Sequence, residues 1–329
     1  MSNHYLVTGA LGCIGAWVVR HLVHRGDTPI VFDLGTDARR IRDLLDDDEF
    51  ERVQFVHGDI TDLDATRRAV EASKAKAIVH LAGLQVPFCR QDPALGARVN
   101  VLGTIHMFEA ALAAGVQRIC YASSAAVFGP GEDDDVAPDE TAACEPVTHY
   151  GVYKRANEGT ARVYWLDKKL PSVGLRPLTV YGVGRDRGMT SGPTTAMKAA
   201  VLGKPFQIGF TGSTDFNYVA DTAAMFVACA DAAPANGPDG AFVYNLHGDT
   251  VDTAAIVAAI ERAHPDAKGL ITAAGPHLPI PPQLDGRAIH AAYPGLPHTA
   301  LDAGIRATVR RFVELRDAGR LDVSDLPTN

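Results

Sequence analysis

A phenol and an ammonium one helical turn apart can move a proton. Tyr150, Gly151, Val152, Tyr153 and Lys154 form a Tyr-x-x-x-Lys run. Residues at i and i+4 share one face of a helix. A free tyrosine titrates near ~10 and is a poor base at neutral pH. A neighbouring cation favours the phenolate, so Lys154 makes Tyr150 a candidate general acid/base. Ser124, upstream in the Ser123-Ser124 pair, offers a hydroxyl that can hold the same substrate oxygen. Tyr153 adjoins Lys154 and projects elsewhere on the helix. The chemistry these groups suit is oxidation or reduction at a carbinol carbon, which requires a hydride acceptor.

The acceptor's site is written at the start of the chain. Thr8-Gly9-Ala10-Leu11-Gly12-Cys13-Ile14-Gly15 follows an apolar run and opens a helical pattern. In that setting Gly9 permits a tight turn, Gly12 lets the backbone approach a pyrophosphate, and Gly15 lets helix pack on strand. Free N–H groups around Cys13 and Ile14, with the helix dipole, would face the phosphates. Asp33 ends the second apolar run. A carboxylate there accepts hydrogen bonds from ribose hydroxyls and repels a 2′-phosphate, favouring NAD over NADP. Arg39 and Arg40 lie farther on and are expected to solvate the next helix. Asp59-Ile60 is placed to cover the adenine, and Leu81-Ala82-Gly83 to pass the middle of the cofactor.

Positioning these groups requires alternating strands and helices. Strands are expected at His4–Thr8, Pro29–Asp33, Val53–His57, Ala77–Leu81, Arg118–Ala122 and Ser172–Arg176. Helices are expected at Gly12–Arg25 and Pro93–Ala114. Short apolar strands alternating with helices mean an α/β fold, a Rossmann-type doubly wound parallel sheet. The rhythm breaks after Pro177. There we expect a strand near Phe216–Val219, a helix from Asp221 to Asp231, a strand near Phe242–Leu246, and helices near Thr253–Ala263 and Thr299–Ala318. Residues 1–177, with parts of 213–250, form the expected NAD-binding domain. Residues 178–212 and 251–329 form the expected smaller C-terminal substrate lobe.

The composition agrees with this class. The 329 residues carry a formal net charge of −8, against the basic stripe of a nucleic-acid binder. No apolar run reaches the ~18 residues of a membrane span. Five dispersed cysteines without a Cys-x-x-Cys suit a reducing compartment, so a cytoplasmic location is expected. No metal site is expected. The acidic clusters Asp46–Glu49 and Glu132–Asp135 are read as solvated loops.

Taken together, these motifs resemble the extended short-chain dehydrogenase/reductase family, the NAD-dependent epimerase/dehydratase group. The resemblance spans roughly residues 4–260 and includes His80–Gly83, Val99–Thr104, Ser123–Gly129, and Leu175-Arg176-Pro177 with Tyr181-Gly182. It implies that Ser124, Tyr150 and Lys154 are the catalytic triad and that Lys154 also grips the nicotinamide ribose. Asn100 would support the active-site helix and cofactor, and Pro177 would flank the nicotinamide. It also implies a homodimer pairing the helices near 93–114 and 148–168.

Departures from the family pattern bear on the substrate. Ala125-Ala126 stands where dehydratases and decarboxylases of the family carry an acid. Leu178-Thr179 stands where nucleotide-sugar epimerases of the family usually carry an Asn, and Thr214 where they usually carry an Arg. Arginine binds two phosphate oxygens at once, and threonine cannot replace it. Arg185, Arg187 or Arg287 remain able to reach a phosphate from elsewhere. The polar loop 182–194, with Gln85, is placed at the substrate mouth, its contacts expected from Gln85, Ser124, Thr179, Arg185, Arg187 and Thr190. Thr190 or Ser191 also suits a helix N-cap. The narrow preference is a NAD-dependent oxidoreductase acting on a secondary alcohol of a sugar, sugar acid or similar small polar substrate. The alternative is a UDP-hexose 4-epimerase that keeps its NAD; a non-catalytic NAD-binding protein ranks third.

Overall fold

The computed structural model describes residues 2–130 and 136–327, so the cluster Glu132–Asp135 lies outside the described residues. The strands are β1 (His4–Thr8), β2 (Thr28–Asp33), β3 (Gln54–His57), β4 (Ala77–His80), β5 (Arg118–Ala122), β6 (Ser172–Arg176), β7 (Thr179–Tyr181), β8 (Phe206–Ile208), β9 (Ser213–Tyr218), β10 (Ala241–Asn245), β11 (Asp249–Asp252) and β12 (Ile271–Ala273). The six strands expected in the N-terminal part are present within a residue at each end. Seven strands make one parallel sheet in the order β10-β6-β5-β4-β1-β2-β3. Chain direction reverses its lateral drift between β1 and β4. A crevice opens there beyond the carboxyl ends of the strands, where ligands of such sheets bind.

Alternation within each strand builds two cores. Tyr5, Val7, Val31 and Val79 pack with Val18, Val19 and Phe226 of helices Cys13–Arg25 and Val219–Asp231. Leu6, Ile30 and Ile78 face the other way, onto Val70 and Phe108 of helices Leu63–Ser73 and Gly103–Ala114. The chain beyond Pro177 adds a small sheet, with β9 between β7 and β11, and the pair β8–β12. Its helices Gly192–Val201 and Leu301–Asp317 insert Met197, Ile305 and Phe312 into the first core.

Three local expectations change. The helix expected over Pro93–Ala114 is broken by a π-helical turn at Arg98–Leu102. Apolar spacing of three and four residues continues across it, so periodicity alone hides the extra residue. Asp46–Glu49 is not an unstructured loop. The Asp46 side chain and Glu49 form a capping box on the short helix Asp47–Phe50. Neither Thr190 nor Ser191 caps with its side chain; the Ser191 hydroxyl donates to the Gly188 carbonyl instead, 3.0 Å away.

Under the sheet's carboxyl edge lies a buried ion pair. Glu158 accepts from Arg176 at 2.7 and 2.8 Å and from the Ser123 hydroxyl at 2.6 Å. Both charged side chains are almost fully inaccessible to water. Removing one partner strands the other charge, which costs about 3–5 kcal/mol. Glu158→Gln therefore lowers the unfolding free energy by about 3 kcal/mol, measured by urea denaturation. A change under ~0.5 kcal/mol, the range of ordinary surface substitutions, contradicts this account.

Candidate active site

The glycine turn is shaped by contact. Gly9 sits at φ 64°, and a Cβ there would lie 2.6 Å from the Ala82 amide nitrogen. The turn after β1 and the turn after β4 therefore come as close as they do because position 9 has no side chain. At Gly15 a Cβ would meet the Gly9 carbonyl oxygen at 2.5 Å. Helix Cys13–Arg25 begins at Gly12 with no side-chain cap, leaving its first N–H groups facing the crevice. Asp33 accepts from the Leu11 and Gly35 amides at 3.0 Å each. Its carboxylate shapes the turn and retains lone pairs for a ribose. Asp59 accepts from the Thr61 amide at 2.8 Å, and the Ile60 carbonyl accepts from His106. This cradle and donor set fit a dinucleotide.

The expectation for Arg40 was wrong in kind. It is half-buried and pairs with Asp186 at 2.6 Å while donating to the Leu11 and Gly184 carbonyls. Arg39 reaches the same carboxylate at 3.2 Å. Together with Trp17 Nε1 donating to the Val183 carbonyl, these contacts fasten loop 182–188 to the cofactor turn. An arginine so far along the chain from its acid gives no local signal.

A directed hydrogen-bond chain links the strands to the catalytic helix His149–Lys168. The Thr104 hydroxyl donates to the Asn100 carbonyl at 2.7 Å. It must then accept from His80 Nε2 at 3.1 Å, which leaves His80 Nδ1 to accept from the Thr8 hydroxyl at 2.7 Å. Thr8 in turn accepts from the Ala82 amide at 3.2 Å. Burial, with the Lys154 charge second, pushes the His80 pKa down to about 3, so the neutral tautomer holds throughout. The Asn100 carbonyl, within the π-helical turn, also accepts from Asn157 Nδ2 at 2.8 Å. The Asn100 side chain pairs with both backbone groups of Leu84. His80, Thr104 and Asn157 were not among the expected site residues; Asn157, three residues beyond Lys154 on the same helix, could have been found by its spacing.

The three proposed catalytic side chains converge. Thr148 caps the helix by accepting from the Gly151 amide at 3.0 Å, which sets Tyr150 in its first turn. The Lys154 ammonium lies 5.5 Å from the Tyr150 ring centre and donates to the Ala122 carbonyl at 2.7 Å. Ser124 opens a short 3-10 turn held to Pro177 through the Ala125 amide. Burial raises the Tyr150 pKa, and the Ser124 hydroxyl followed by the Arg185 charge pull it back down. Burial therefore outweighs the lowering, which comes from Ser124 and Arg185 and not from the Lys154 charge expected from the sequence. Lys154 itself is pushed down to about 8 by burial, with nearby Cys89 and Glu158 opposing.

The expected substrate contacts divide. Gln85, Arg185 and Thr190 come together: Arg185 donates to the Thr190 hydroxyl at 2.9 Å, and Gln85 Oε1 lies over Gly188 beside the Arg185 guanidinium. Thr179 does not face the cleft. It is fully buried and hydrogen-bonded at 2.9 Å to Thr214, the other departure noted in the sequence. Arg187 is exposed, and Arg287 is exposed and paired with Asp285.

A parallel sheet with a glycine cradle at its switch point and a Ser-Tyr-Lys constellation beside it defines a nicotinamide-dependent enzyme of the extended short-chain dehydrogenase/reductase type. Residues 5–247 match the family described as NAD dependent epimerase/dehydratase, and the chain belongs to that family. A UDP-glucose 4-epimerase of Mycolicibacterium smegmatis is 29% identical, covering 93% of this chain and 97% of its own. A probable UDP-glucuronate 4-epimerase of Rhizobium meliloti is 30% identical over 70% of this chain and 69% of its own. Among solved structures, a Thermus thermophilus UDP-glucose 4-epimerase complexed with NAD is similar at 25% identity and a TM-score of 0.78, covering 94% of this chain and 98% of that one.

The Lys154 shift has a measurable consequence. The folded state disfavours the ammonium, so between about 8 and the ordinary 10.5 the unfolded chain holds one more proton. Stability attributable to this group therefore rises with pH across that window. NAD-free Lys154→Met is expected to be more stable than wild type near neutrality, by up to about 3 kcal/mol. The gap should narrow at about pH 9.5. Urea denaturation at the two pH values reads it; a gap independent of pH contradicts the assignment.

Proposed function

We propose that this enzyme oxidises, and can re-reduce, a secondary carbinol on a sugar-class substrate. The convergence of Ser124, Tyr150 and Lys154 beside the cradle carries this reading. Ser124 holds the reacting oxygen. Tyr150 takes its proton as the C–O bond becomes a carbonyl and returns it in the reverse direction. Lys154 supplies a fixed donor and charge at the ribose side. NAD would be held by Gly9, Gly12, Cys13, Ile14, Gly15, Asp33, Asp59, Ile60, Leu81, Ala82, Gly83, Asn100 and Pro177 together with Tyr150 and Lys154, and would supply the hydride acceptor. Residues 178–212 and 251–329 serve as the substrate lobe.

Two modes share these residues. A dehydrogenase exchanges its cofactor each turnover, whereas an epimerase retains it and re-reduces the opposite face. The activities named for similar proteins favour 4-epimerisation of a UDP-sugar over the net dehydrogenation preferred on sequence grounds. Against that stands the closed Thr179–Thr214 pair.

We further propose a homodimer. Leu95, Leu102, Val152, Val163 and Leu166 expose apolar surface on the helical layer between residues 93 and 168, and such patches mark association sites. Among the described residues, no helix is long and apolar enough to cross a membrane. Five cysteines without disulfides support a reducing, cytoplasmic location.

Tyr150→Phe should retain NAD binding by calorimetry and lose about 10²–10⁴-fold in turnover; unchanged turnover rejects the acid/base role. Incubation with UDP-glucose and UDP-glucuronate, followed by chromatography and absorbance at the NADH band, separates the modes. Interconversion without net absorbance change supports the epimerase, and stoichiometric reduction of added NAD supports the dehydrogenase. For the dimer, Val163→Glu combined with Leu166→Glu should give a monomer by light scattering. A wild-type monomer would overturn the dimer.

A further inference from the structure

The stretch from Ala274 to Gly286 joins β12 to the helix Arg287–Ala292. Pro276, Pro279, Pro281 and Pro282 each remove a backbone donor from it. It can do little to hold itself, so its neighbours must fix it. Leu284 is the residue it drives inward. That side chain is 1% exposed and packs with Ala125, Val127, Phe128 and Leu178. Ala125–Val127 is the short turn that Ser124 opens. The position of Leu284 therefore sets the wall behind Ser124.

His247, just beyond β10, lies against this stretch. A Cβ on Gly286 would stand 2.5 Å from the His247 Cβ, so the two segments are in direct contact. His247 Nδ1 lies 2.9 Å from Asp215 Oδ2 and donates to it, since a carboxylate only accepts. Asp215, from β9, is fully buried. Its other oxygen accepts from the Gly248 amide at 2.6 Å and from Asn217 Nδ2 at 2.8 Å. Asn217 Oδ1 accepts in turn from the Leu178 amide at 3.4 Å. The carboxylate is thus fixed, and it fixes the imidazole. The Leu284 carbonyl faces the same ring. A neutral imidazole already donating to Asp215 has no second N–H to offer. The imidazolium has one, and can bridge Asp215 to Leu284.

We propose that His247 is a positioning residue for the reacting centre: charged, it clasps Asp215 to the Leu284 carbonyl and so holds the wall behind Ser124. This rests on reading Ser124 as part of that centre. The side chain is 42% exposed, so it exchanges its proton with bulk water. The charges that face it are Asp215 from β9, Asp249 from β11 and Asp285 from the stretch itself. Asp249 is shared with His298 at 3.2 Å, and Asp285 with Arg287 at 2.5 Å. The hydrogen bond to Asp215 leads in raising the His247 pKa; burial opposes it, and the Asp215 charge, the Leu284 carbonyl and the Asp249 charge add to it. A histidine raised in the folded state stabilises that state below its ordinary 6.5. The stabilisation is lost as pH rises through the folded value. The clasp is therefore closed in mildly acidic solution and released in alkaline solution.

Amide hydrogen exchange read by mass spectrometry on the NAD-loaded protein tests this. Rates are expressed as protection, so that the intrinsic pH dependence of exchange drops out. In wild type, the amides of residues 278–290 and 122–130 should be about 5- to 10-fold better protected at about pH 6 than at about pH 8.5, the effect of one charge-assisted bond at a half-exposed site. His247→Gln should show the same protection at both pH values. His247→Lys, charged throughout, should keep the acid-side protection at both. Circular dichroism establishes that the variants are folded; if His247→Gln is not, wild type and His247→Lys decide between them. Wild-type protection that does not change with pH overturns the proposal, as does a response of equal size in folded His247→Gln. A response confined to residues 278–290 overturns the link to Ser124. A failed acid/base assignment for Tyr150 would leave these rates unchanged, so the two readings fail separately.

Discussion

The carbonyl of Asn100 is the point on which the site depends. It lies within the π-helical turn Arg98–Leu102 and accepts from the Thr104 hydroxyl and Asn157 Nδ2. Thr104 passes the constraint through His80 to Thr8, and Asn157 passes it to the helix that carries Tyr150 and Lys154. The cofactor turn and the reacting centre are thus referenced to one backbone atom. Because the chain runs through a neutral, dehydrated imidazole, its direction does not switch in the physiological pH range.

Around that frame, burial and charge oppose each other. The same dry surroundings that raise Tyr150 lower Lys154. Burial thus moves the two groups in opposite directions, the phenol up and the ammonium down. Beneath them, Glu158 and Arg176 neutralise each other with Ser123 attached. Ser123 is therefore structural, although it stands next to the Ser124 that faces the cleft.

The sheet, its strand boundaries and the cofactor turn were legible because buried parallel strands are short apolar runs and because a glycine turn between strand and helix has few other uses. The Tyr150–Lys154 pair was legible because its geometry is local to one helix. What escaped depends on contacts distant in the chain. His80 and Thr104 lie in strands and helices without any local sign of their pairing. Arg40 looked like a surface charge because its acid is Asp186. Thr179 was read as cleft-facing because position alone cannot reveal that it closes on Thr214. The π turn escaped because it adds a residue without breaking the apolar stripe.

The junction of Arg40 with Asp186 couples two events that are separable in a looser protein. One guanidinium touches the Leu11 carbonyl of the dinucleotide turn and the loop bearing Arg185. Peeling that loop outward would unlatch the wall of the nucleotide crevice at the same moment. A dinucleotide seated there would have one wall of its crevice braced by the ion pair that also braces the loop on the opposite side of the cleft.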